Sequence, residues 1–504
     1  MGLSVARLAA QSSPAGDTPS PSSALRTGAG LVEAACQSCH ALPAPELLDR
    51  ETWLKEALPY MGPWLGLSRL NLDRQPDGAI LKAARLFPDE PVFSREEWIE
   101  VVRFFAERAP AALGSAPARD GSGGVAVGFR PEPIRLGTGP AFVTLVSIDP
   151  AQRRIWVGDG QDKTLRAIDD AGRTQVRIPV PSGPVSLSKV EDGVVVTLIG
   201  RVFPSDETAG QVWRLAPPAW EPVRLLQGLR RPVHTSVTDL DADGLTDMVV
   251  SAYGNRLGNL SSYRVSPGFP PREQVLEEYP GTLRTLPMDW NHDGRLDLLV
   301  LRAQAREGLS VLIQDSDGAF TPRLLITQPP TFGYVAMELA DLDGDGVDEI
   351  LLVNGDSGDY RSPHKPFHGV RIYQRATGDR LEERCFVPLH GAYGVRARDF
   401  DGAGDLDLAL ISFFPDFTAD PPESFLLLSN EGGWRFRAAS LRAVDAFLGR
   451  WLVLDAGDVD GDGDEDIVLG SFFRGPATTP IPEHLIRNWE TNGVNLLLLR
   501  NLRR

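Results

Sequence analysis

The chain has 504 residues, of which 42% are hydrophobic and 24% charged, and its formal net charge is −17. An acidic chain of this kind lacks the basic surface of a nucleic-acid-binding protein, and no apolar run reaches the roughly 18 residues of a membrane-spanning helix. The 50 glycines and 41 prolines predict many turns and few long helices in a chain long enough for a large domain with an appendage.

Residues 1–27 are predicted to be a disordered N-terminal segment. Arg7 interrupts the first apolar stretch, which is too short for a standard secretion signal, and a Ser/Pro-rich linker composition follows. We therefore expect either a natural start further upstream or an atypical signal.

The next feature is Cys36-Gln-Ser-Cys39-His40, the Cys-x-x-Cys-His pattern of covalent c-type haem attachment. Both thiols would add to the haem vinyl groups and the imidazole would bind iron. A zinc site would need two more ligands of the same kind, and Cys385 is the only other cysteine. A thioredoxin-type pair would need a preceding strand, whereas the neighbouring residues are helical in pattern. One covalent haem c is the favoured interpretation, and zinc, a dithiol pair and chance remain alternatives.

The segment around this motif, residues 28–110, is predicted to be a small helical domain. Helices are expected at 31–35, 45–58 and 94–108. Ser94 and Glu97 form a capping box at the start of the last one, and Trp98, Val101, Val102 and Phe105 give it an apolar stripe. The segment resembles a class I cytochrome c domain, which implies that the first and last helices cross beside the haem edge.

Met61 is the candidate for the sixth iron ligand. It is the only methionine between residues 2 and 127, and Tyr60-Met61-Gly62-Pro63 predicts a turn that could reach the iron. Met61 follows His40 by 21 positions, a shorter separation than is usual in the cytochrome family. Packing of Met61 against the porphyrin or the core is the alternative.

Residues 111–127 are predicted to be a flexible linker, and residues 128–504 carry a recurring acidic loop. In each copy, carboxylates or an amide at loop positions 1, 3, 5 or 7, and 9 could wrap a Ca²⁺ ion, and a glycine permits the sharp turn. The predicted ligands are Asp239, Asp241, Asp243 and Asp247; Asp289, Asn291, Asp293 and Asp297; Asp341, Asp343, Asp345 and Glu349; Asp399, Asp401, Asp405 and Asp407; and Asp458, Asp460, Asp462 and Asp466. The copy at 399–407 is the weakest, because Ala403 replaces its third carboxylate.

The spacing of these loops predicts the architecture. Successive first aspartates are 50, 52, 58 and 59 residues apart, and a short apolar run typical of a strand follows each loop. This is the length of one four-stranded propeller blade. The loops resemble those of the FG-GAP/VCBS family and the calcium-bearing blades of integrin α-subunits, which implies a β-propeller with four or five Ca²⁺ ions.

We predict a mainly β fold with seven blades. Two blades without a cation site are expected at turns 149–150 and 191–193, before the first acidic loop. Residues 495–501 predict a third strand without a fourth, and residues 129–137 are expected to complete that last blade. Such closure removes two open sheet edges.

The long loops are predicted to lie on the face opposite the acidic loops, because they join second to third strands. Residues 354–368, 413–424 and 472–489 should converge there and bring together His364, Lys365, His368 and several aromatic side chains. They could form a binding or catalytic pocket, or they could cap the channel with the aromatic rings as their own core.

These features favour a periplasmic or otherwise extracytoplasmic electron-transfer protein with a calcium-stabilised propeller that docks a redox partner protein or a small-molecule substrate. The alternative is a cytochrome-linked oxidoreductase with its active site at the mouth formed by the three long loops. Whether the protein is an enzyme is left open by the sequence. An adhesion or scaffold module is a third hypothesis, against which the haem motif argues.

Overall fold

The structure is a computed structural model that describes residues 28–119, 124–126, 128–266, 268–476 and 478–503. The N-terminal segment predicted at residues 1–27 lies outside the described residues. A helical domain, here residues 28–110, precedes a β-propeller of seven sheets, which confirms the predicted mainly β, seven-bladed architecture.

The first and last helices of the helical domain pack against each other, as expected. The helices of this domain are α1 (Gly28–Cys36), α2 (Arg50–Thr52), α3 (Leu58–Met61), α4 (Gly78–Ala84) and α5 (Arg95–Arg108). A Cβ added at Gly28 would lie 2.5 Å from the carbonyl oxygen of Glu100, so α1 crosses α5 at van der Waals contact. Their apolar faces enclose a core that includes Val32, Trp53 and Phe105.

The predicted helix 45–58 is wrong in its start and its end. Pro45–Leu47 is a single 3₁₀ turn, and the main helix begins after Asp49, whose side chain accepts a hydrogen bond from Thr52 N. A π-helical stretch, Trp53–Ala57, joins α2 to α3, so the rod runs to Met61. A short polar cap thus overrides the apolar periodicity that suggested an earlier start. The capping box of Ser94 and Glu97 is confirmed, with both reciprocal hydrogen bonds present.

Six blades are built from consecutive antiparallel strands. Blades 1 to 3 comprise β3 (Val143–Asp149), β4 (Arg154–Asp159), β5 (Thr164–Ile168) and β6 (Thr174–Pro179); β7 (Pro184–Val190), β8 (Gly193–Leu198), β9 (Gly210–Leu215) and β10 (Pro222–Leu229); and β11 (Pro232–Thr238), β12 (Asp247–Ala252), β13 (Asn259–Ser266) and β14 (Phe269–Glu277). Blades 4 to 6 comprise β15 (Thr282–Met288), β16 (Asp297–Arg302), β17 (Gly308–Gln314) and β18 (Phe320–Thr327); β19 (Tyr334–Ala340), β20 (Glu349–Asn354), β21 (Gly369–Arg375) and β22 (Leu381–Pro388); and β23 (Ala392–Arg398), β24 (Asp407–Ser412), β25 (Phe425–Asn430) and β26 (Phe436–Ser440).

The seventh blade closes the ring as predicted. It contains β27 (Trp451–Gly457), β28 (Asp466–Ser471) and β29 (Leu496–Asn501), and its fourth strand is β2 (Phe129–Ile134) from the start of the propeller. Phe129 pairs with Asn501 and Ile134 with Leu496, so the two ends of the domain share one sheet.

The predicted linker 111–127 is not entirely linker. Its residues Gly124–Val125 form β1, which pairs in parallel with β26 at the outer edge of blade 6. Arg119, near the end of the preceding stretch, donates to the carbonyl of Pro388 and forms an ion pair with Glu423. Residues 120–123 and 127 lie outside the described residues. The described part of this segment is therefore held against the propeller by pairing that local composition does not reveal.

The helical domain lies on the propeller face opposite the acidic loops. Asp206, in the β8–β9 loop, donates its backbone N–H to Asp77 Oδ2 of the helical domain at 2.9 Å. The buried carboxylate of Asp206 accepts the backbone N–H groups of 255–257 in the next blade, which anchors this contact. Tyr360, from the β20–β21 loop, packs against the core of the helical domain.

Candidate functional sites

The two thiols and the imidazole of the haem motif lie at the end of α1 and in the turn that follows it. The N–H groups of Cys39 and His40 both donate to the carbonyl of Cys36, so the motif is one compact turn. Cys36 is half-buried against the helical core, whereas Cys39 is exposed. Burial, with a smaller contribution from Cys39, raises the pKa of Cys36 to about 11, so its sulfur carries a proton at neutral pH.

His40 has one ring nitrogen committed to the protein. Its Nδ1 lies 2.9 Å from the carbonyl oxygen of Ala41, and because a carbonyl only accepts, Nδ1 carries the hydrogen. The lone pair then resides on Nε2, which is the tautomer that a metal-binding histidine adopts when Nδ1–H is held by a backbone carbonyl. The donor set of the motif therefore fits a covalently attached haem.

Met61 is placed differently from the sequence prediction. It is the last residue of α3 and is half-buried, rather than lying in a free turn, and Gly62 caps the helix through a hydrogen bond from its N–H to Pro59 O. Gly62 itself has helical backbone angles, with φ −49° and ψ −50°. An approach of the Met61 thioether to iron would therefore use the end of a helix.

In each acidic loop, the side chain of the first aspartate accepts hydrogen bonds from backbone N–H groups later in the loop. Asp239 Oδ1 and Oδ2 accept the N–H groups of Asp243 and Gly244 at 3.1 and 2.8 Å, and the equivalent aspartates 289, 341, 399 and 458 accept the same kind of bond. The glycine at loop position 6 has a positive φ in all five loops, +85° at Gly244 and +96° at Gly463. A side chain there would be strained, which explains why only glycine is used.

The carboxylate at loop position 9 is buried at the start of the second strand. Asp247, Asp297, Glu349, Asp407 and Asp466 are each at most 1% exposed. Asp466 joins its loop to the third strand, since Oδ2 accepts Val459 N and Oδ1 accepts Asn501 N. Asp407 Oδ2 and Glu349 Oε1 are buried without a protein hydrogen bond. Such an oxygen is available to a cation.

The structure gathers the carboxylates of four loops in the way a cation requires. The groups Asp239, Asp241 and Asp247; Asp341, Asp343 and Glu349; Asp399, Asp401 and Asp407; and Asp458, Asp460 and Asp466 each have ligand oxygens within 4.8 Å of one another. Oxygens that bind Ca²⁺ at 2.3–2.6 Å lie at most about 5 Å apart across the ion, so the spacing fits. The copy at 399–407, judged weakest from the sequence, belongs to this set.

The remaining predicted ligands lie outside these four groups. Asp243, Asp345 and Asp462 at position 5 accept the N–H two residues further on, at 2.8, 2.8 and 3.0 Å, and thereby shape the turn. Asp405 is also outside the 399–407 group. In the 289–297 loop the third position is an amide: Asn291 Oδ1 accepts Asp293 N, and Asn291 Nδ2 donates to Asp293 Oδ2. The turn thus uses one oxygen of each position-5 carboxylate.

Burial and mutual repulsion make the buried carboxylates hard to ionise. Desolvation, followed by the neighbouring loop aspartates, raises the pKa of Glu349 to about 7 and that of Asp407 to about 6. Desolvation likewise raises the pKa of Asp466 to about 6. A bound divalent cation would favour the ionised form of all three.

Side-chain amides tie these loops to the neighbouring blade. Gln314 Nε2, at the end of β17, donates to Leu240 O in the loop of blade 3 and to Leu296 O in its own loop. In blade 6, Asn430 Nδ2 likewise donates to Leu342 O and Leu406 O. In blade 7, Asn501 Nδ2 donates to Phe400 O and Glu465 O. A change in the conformation of one acidic loop therefore affects its own blade and the neighbouring blade.

The three long loops converge on the opposite face, as predicted. The rings of Phe413 and Phe472 lie 6.2 Å apart, Phe417 lies 6.1 Å from Trp489, and Thr478 Oγ1 donates to Ser357 O. Part of the third loop is helical, because Glu483–Asn492 forms α7, and a four-residue helix α6 (Ala443–Ala446) precedes β27.

The aromatic side chains of these loops form their own core rather than lining an open mouth. Phe413, Phe414 and Phe472 pack together with Phe142. Lys365 is 4% exposed and donates to Thr331 O at 3.1 Å, so it supports the loop. Nor is His368 open to a ligand, because it is 2% exposed and burial lowers its pKa.

A cavity remains beside this core, between the helical domain and the propeller. It has a volume of about 1080 Å³, and the propeller residues that line it include His364, His390 and Glu423. The sequence prediction missed His390 and Glu423 as a pair. His390 lies in a turn from a fourth strand to the next first strand, and such turns open on the same face as the long loops, so strand counting could have found it.

None of the helices among the residues that the structure describes combines the length and apolar character needed to cross a membrane. This agrees with the absence of a long apolar run in the sequence.

Comparison with known proteins bears on the propeller alone. The family model of an FG-GAP-like repeat matches residues 289–352. No curated protein sequence matches the chain significantly.

Solved structures similar to the chain include BBS1N in complex with ARL6DN, at 10% identity over 77% of this chain and 98% of that chain, with a TM-score of 0.42. An ancestral GH74 enzyme has 10% identity over 72% of this chain and 48% of its own, with a TM-score of 0.47. The calcium-binding protein regucalcin from Agrobacterium tumefaciens has 14% identity over 65% and 99%, with a TM-score of 0.36. The seven-bladed propeller of this chain thus contains an FG-GAP-like repeat at residues 289–352.

Proposed function

We propose that this protein is an extracytoplasmic c-type cytochrome that transfers electrons, with its haem on the helical domain and a Ca²⁺-stabilised propeller as the docking platform. The observation that carries the proposal is the compact Cys36–His40 turn with the Nε2 lone pair of its imidazole uncommitted. Haem, when bound, supplies a one-electron carrier.

The residues of the helical domain have separate roles in holding the group. The S–H groups of Cys36 and Cys39 would add across the two vinyl groups and so hold the porphyrin on one turn of the chain. Hydrogen bonding to Ala41 O orients the ring of His40. The apolar core around Trp53 and Phe105 excludes water from the Cys36 side of the motif.

The propeller contributes stability and position. Four groups of loop carboxylates support four Ca²⁺ sites. The 289–297 loop, with Asn291 at its third position, would be a fifth site only if its amide oxygen can bind the ion as well as Asp293 N. The helical domain lies on the opposite face, so cations in the acidic loops would stabilise the platform without contacting the haem.

A second candidate function is a cytochrome-linked oxidoreductase. The cavity between the helical domain and the propeller favours it, because the helical rod 50–61 borders both the cavity and the haem motif. Thr52, Lys55 and Glu56 of this rod line the cavity. Trp53 and Ala57 of the same rod belong to the core that contacts Cys36. A small molecule in the cavity would lie about one helix diameter, roughly 10 Å, from that core.

The proposal is tested by producing the protein with a secretion signal in a bacterium that matures c-type cytochromes. We expect one haem per chain that survives denaturation, seen by intact mass and by the alkaline pyridine spectrum. Haem that dissociates on denaturation, or none at all, would refute covalent attachment. An additional organic cofactor in the same mass spectrum would favour the oxidoreductase.

Replacing Met61 with alanine tests the sixth ligand. Because a thioether ligand raises the reduction potential of a haem iron, Met61→Ala should lower the midpoint potential and remove the thioether-to-iron absorption of the oxidised protein. Potentiometric titration measures the first and visible spectroscopy the second. An unchanged potential would assign Met61 to packing at the end of α3.

A further inference from the structure

The cavity at the junction has the size and the walls of a small-molecule site. Its volume is about 1080 Å³, slightly above the range of roughly 300–1,000 Å³ found for ligand pockets. Three parts of the chain line this open cavity: the helical rod 50–61, the stretch 111–119 and the loops around His364 and Glu423. A site built from three separate segments exists only in the assembled protein.

Polar atoms on its propeller wall are buried and lack partners. Glu423 is 9% exposed, and its Oε1 is held by Arg119, whereas its Oε2 makes no hydrogen bond. The Nδ1 of His390 and the Oγ of Ser362 are also buried and unpaired. Leaving such buried groups without a hydrogen bond destabilises the protein, so a ligand that bonds them recovers this cost.

The charges around the cavity nearly cancel. Lys55 is paired with Glu51 and Arg119 with Glu423, and Arg361, Asp49 and Glu56 also line the cavity. A strongly charged ligand would gain little from such a lining and would lose its hydration. The balance favours an uncharged molecule with hydroxyl groups.

The remaining surface suits a flat ring. The imidazoles of His364 and His390 stack with their centres 4.5 Å apart and their planes at 26°. Pro117, Pro363 and Pro480 also line the cavity. Asp416 Oδ2 lies 3.8 Å from His364 Nδ1 and helps to hold the stacked pair in place.

We propose that the junction cavity binds a small, neutral hydroxyaromatic compound whose hydroxyl groups hydrogen-bond to Glu423 Oε2 and His390 Nδ1 while its ring packs against the prolines. This goes beyond the proposed electron transfer, because binding requires neither haem nor Ca²⁺. The site consists of propeller and linker groups that are already in place around the cavity.

Isothermal titration with resorcinol, which has two hydroxyl groups on one ring, tests the proposal on the full-length protein. The variants are Glu423→Gln, which retains an oxygen for Arg119 but replaces the free acceptor, and His390→Gln. Matched controls are Glu431→Gln and His484→Gln, both exposed and away from the cavity. We expect saturable binding, weakened about tenfold or more in each cavity variant and unchanged in both controls.

Three results would each overturn the proposal: no saturable heat of binding, equal affinity in all variants, or equally tight binding of glucose. Thermal melting of each variant checks that it is folded, and if Glu423→Gln is not, His390→Gln decides. Haem content measured on the same samples reports on the proposed function separately, so that failure of one does not imply failure of the other.

Discussion

Alanine at both Cys36 and Cys39 is expected to give a folded, full-length protein without covalent haem. Both sulfurs belong to one turn, in which Cys39 N and His40 N donate to Cys36 O. Removing both therefore removes every thioether attachment point of the motif while leaving the backbone turn possible. Haem retained after denaturation would be measured by intact mass and by in-gel peroxidase staining.

Cys385→Ala is the matched control for this experiment. Cys385 lies in β22 of the propeller and is half-buried, and burial raises its pKa to about 11, so it is an unreactive thiol. This variant should keep its full haem content. Covalent haem that persists in the Cys36/Cys39 double variant, or that disappears in the control, would contradict the proposed attachment.

Removal of Ca²⁺ is expected to produce the largest change in stability. A cation at a hundredfold excess over its dissociation constant stabilises the folded state by about 2.7 kcal/mol per site. With four carboxylate groups in one ring, chelation should lower the melting temperature by about 10 °C or more. Gln314, Asn430 and Asn501 connect loops of neighbouring blades, so the loss should destabilise the ring as a unit.

Single substitutions in a loop identify which carboxylates are responsible for the stabilisation by Ca²⁺. Asp343→Asn, in the 341–349 group, should reduce the stabilisation by Ca²⁺, measured by calorimetry in the presence and absence of the ion. Asp348→Asn is the control, because Asp348 lies in the same loop, is exposed and is outside the group. If both variants respond to Ca²⁺ as the unmodified protein does, the 341–349 loop is structural only.

The metal-free protein should also lose stability as the pH rises. The folded pKa values of Glu349, about 7, and of Asp407 and Asp466, about 6, lie above those of free carboxyl groups, near 4. The folded state therefore binds more protons than the unfolded state across this interval, and its stability falls from about pH 4 to about pH 7. Added Ca²⁺ should restore stability more strongly at pH 7 than at pH 4.5. Melting curves at both pH values check the sign, and a metal-free protein that becomes more stable toward pH 7 would contradict it.

Much of the propeller follows from local sequence. The conformation of each acidic loop is determined locally, because the first aspartate accepts hydrogen bonds from the N–H groups that follow it and the glycine at position 6 permits a positive φ. The apolar strand after each loop and the even spacing then predict blades. Closure by residues 129–134 was predictable too, since an unfinished blade at one end requires a strand from the other.

The candidate site could be predicted only in part. The approach of the carboxylates at positions 1, 3 and 9 was predicted from spacing, but the hydrogen bond that a position-5 carboxylate accepts within the turn was not, as Asp243 and Asp345 show. Met61 was assigned to a turn because the π-helical stretch that carries the rod onward has no local signature. The Glu423–Arg119 pair joins residues 304 positions apart, a separation that no periodicity reveals.

What the sequence determined by itself was therefore the set of short-range units: the thiol and imidazole turn, the capped helix at Ser94 and the acidic loops. Their hydrogen bonds join residues within about five positions of one another, so chain order is sufficient to predict them. Only the tertiary structure decided that the helical domain lies over the face opposite the acidic loops and encloses a cavity with Glu423 and His390. That placement depends on contacts such as Asp77 with Asp206, whose strength comes from burial between parts of the chain that are distant in sequence.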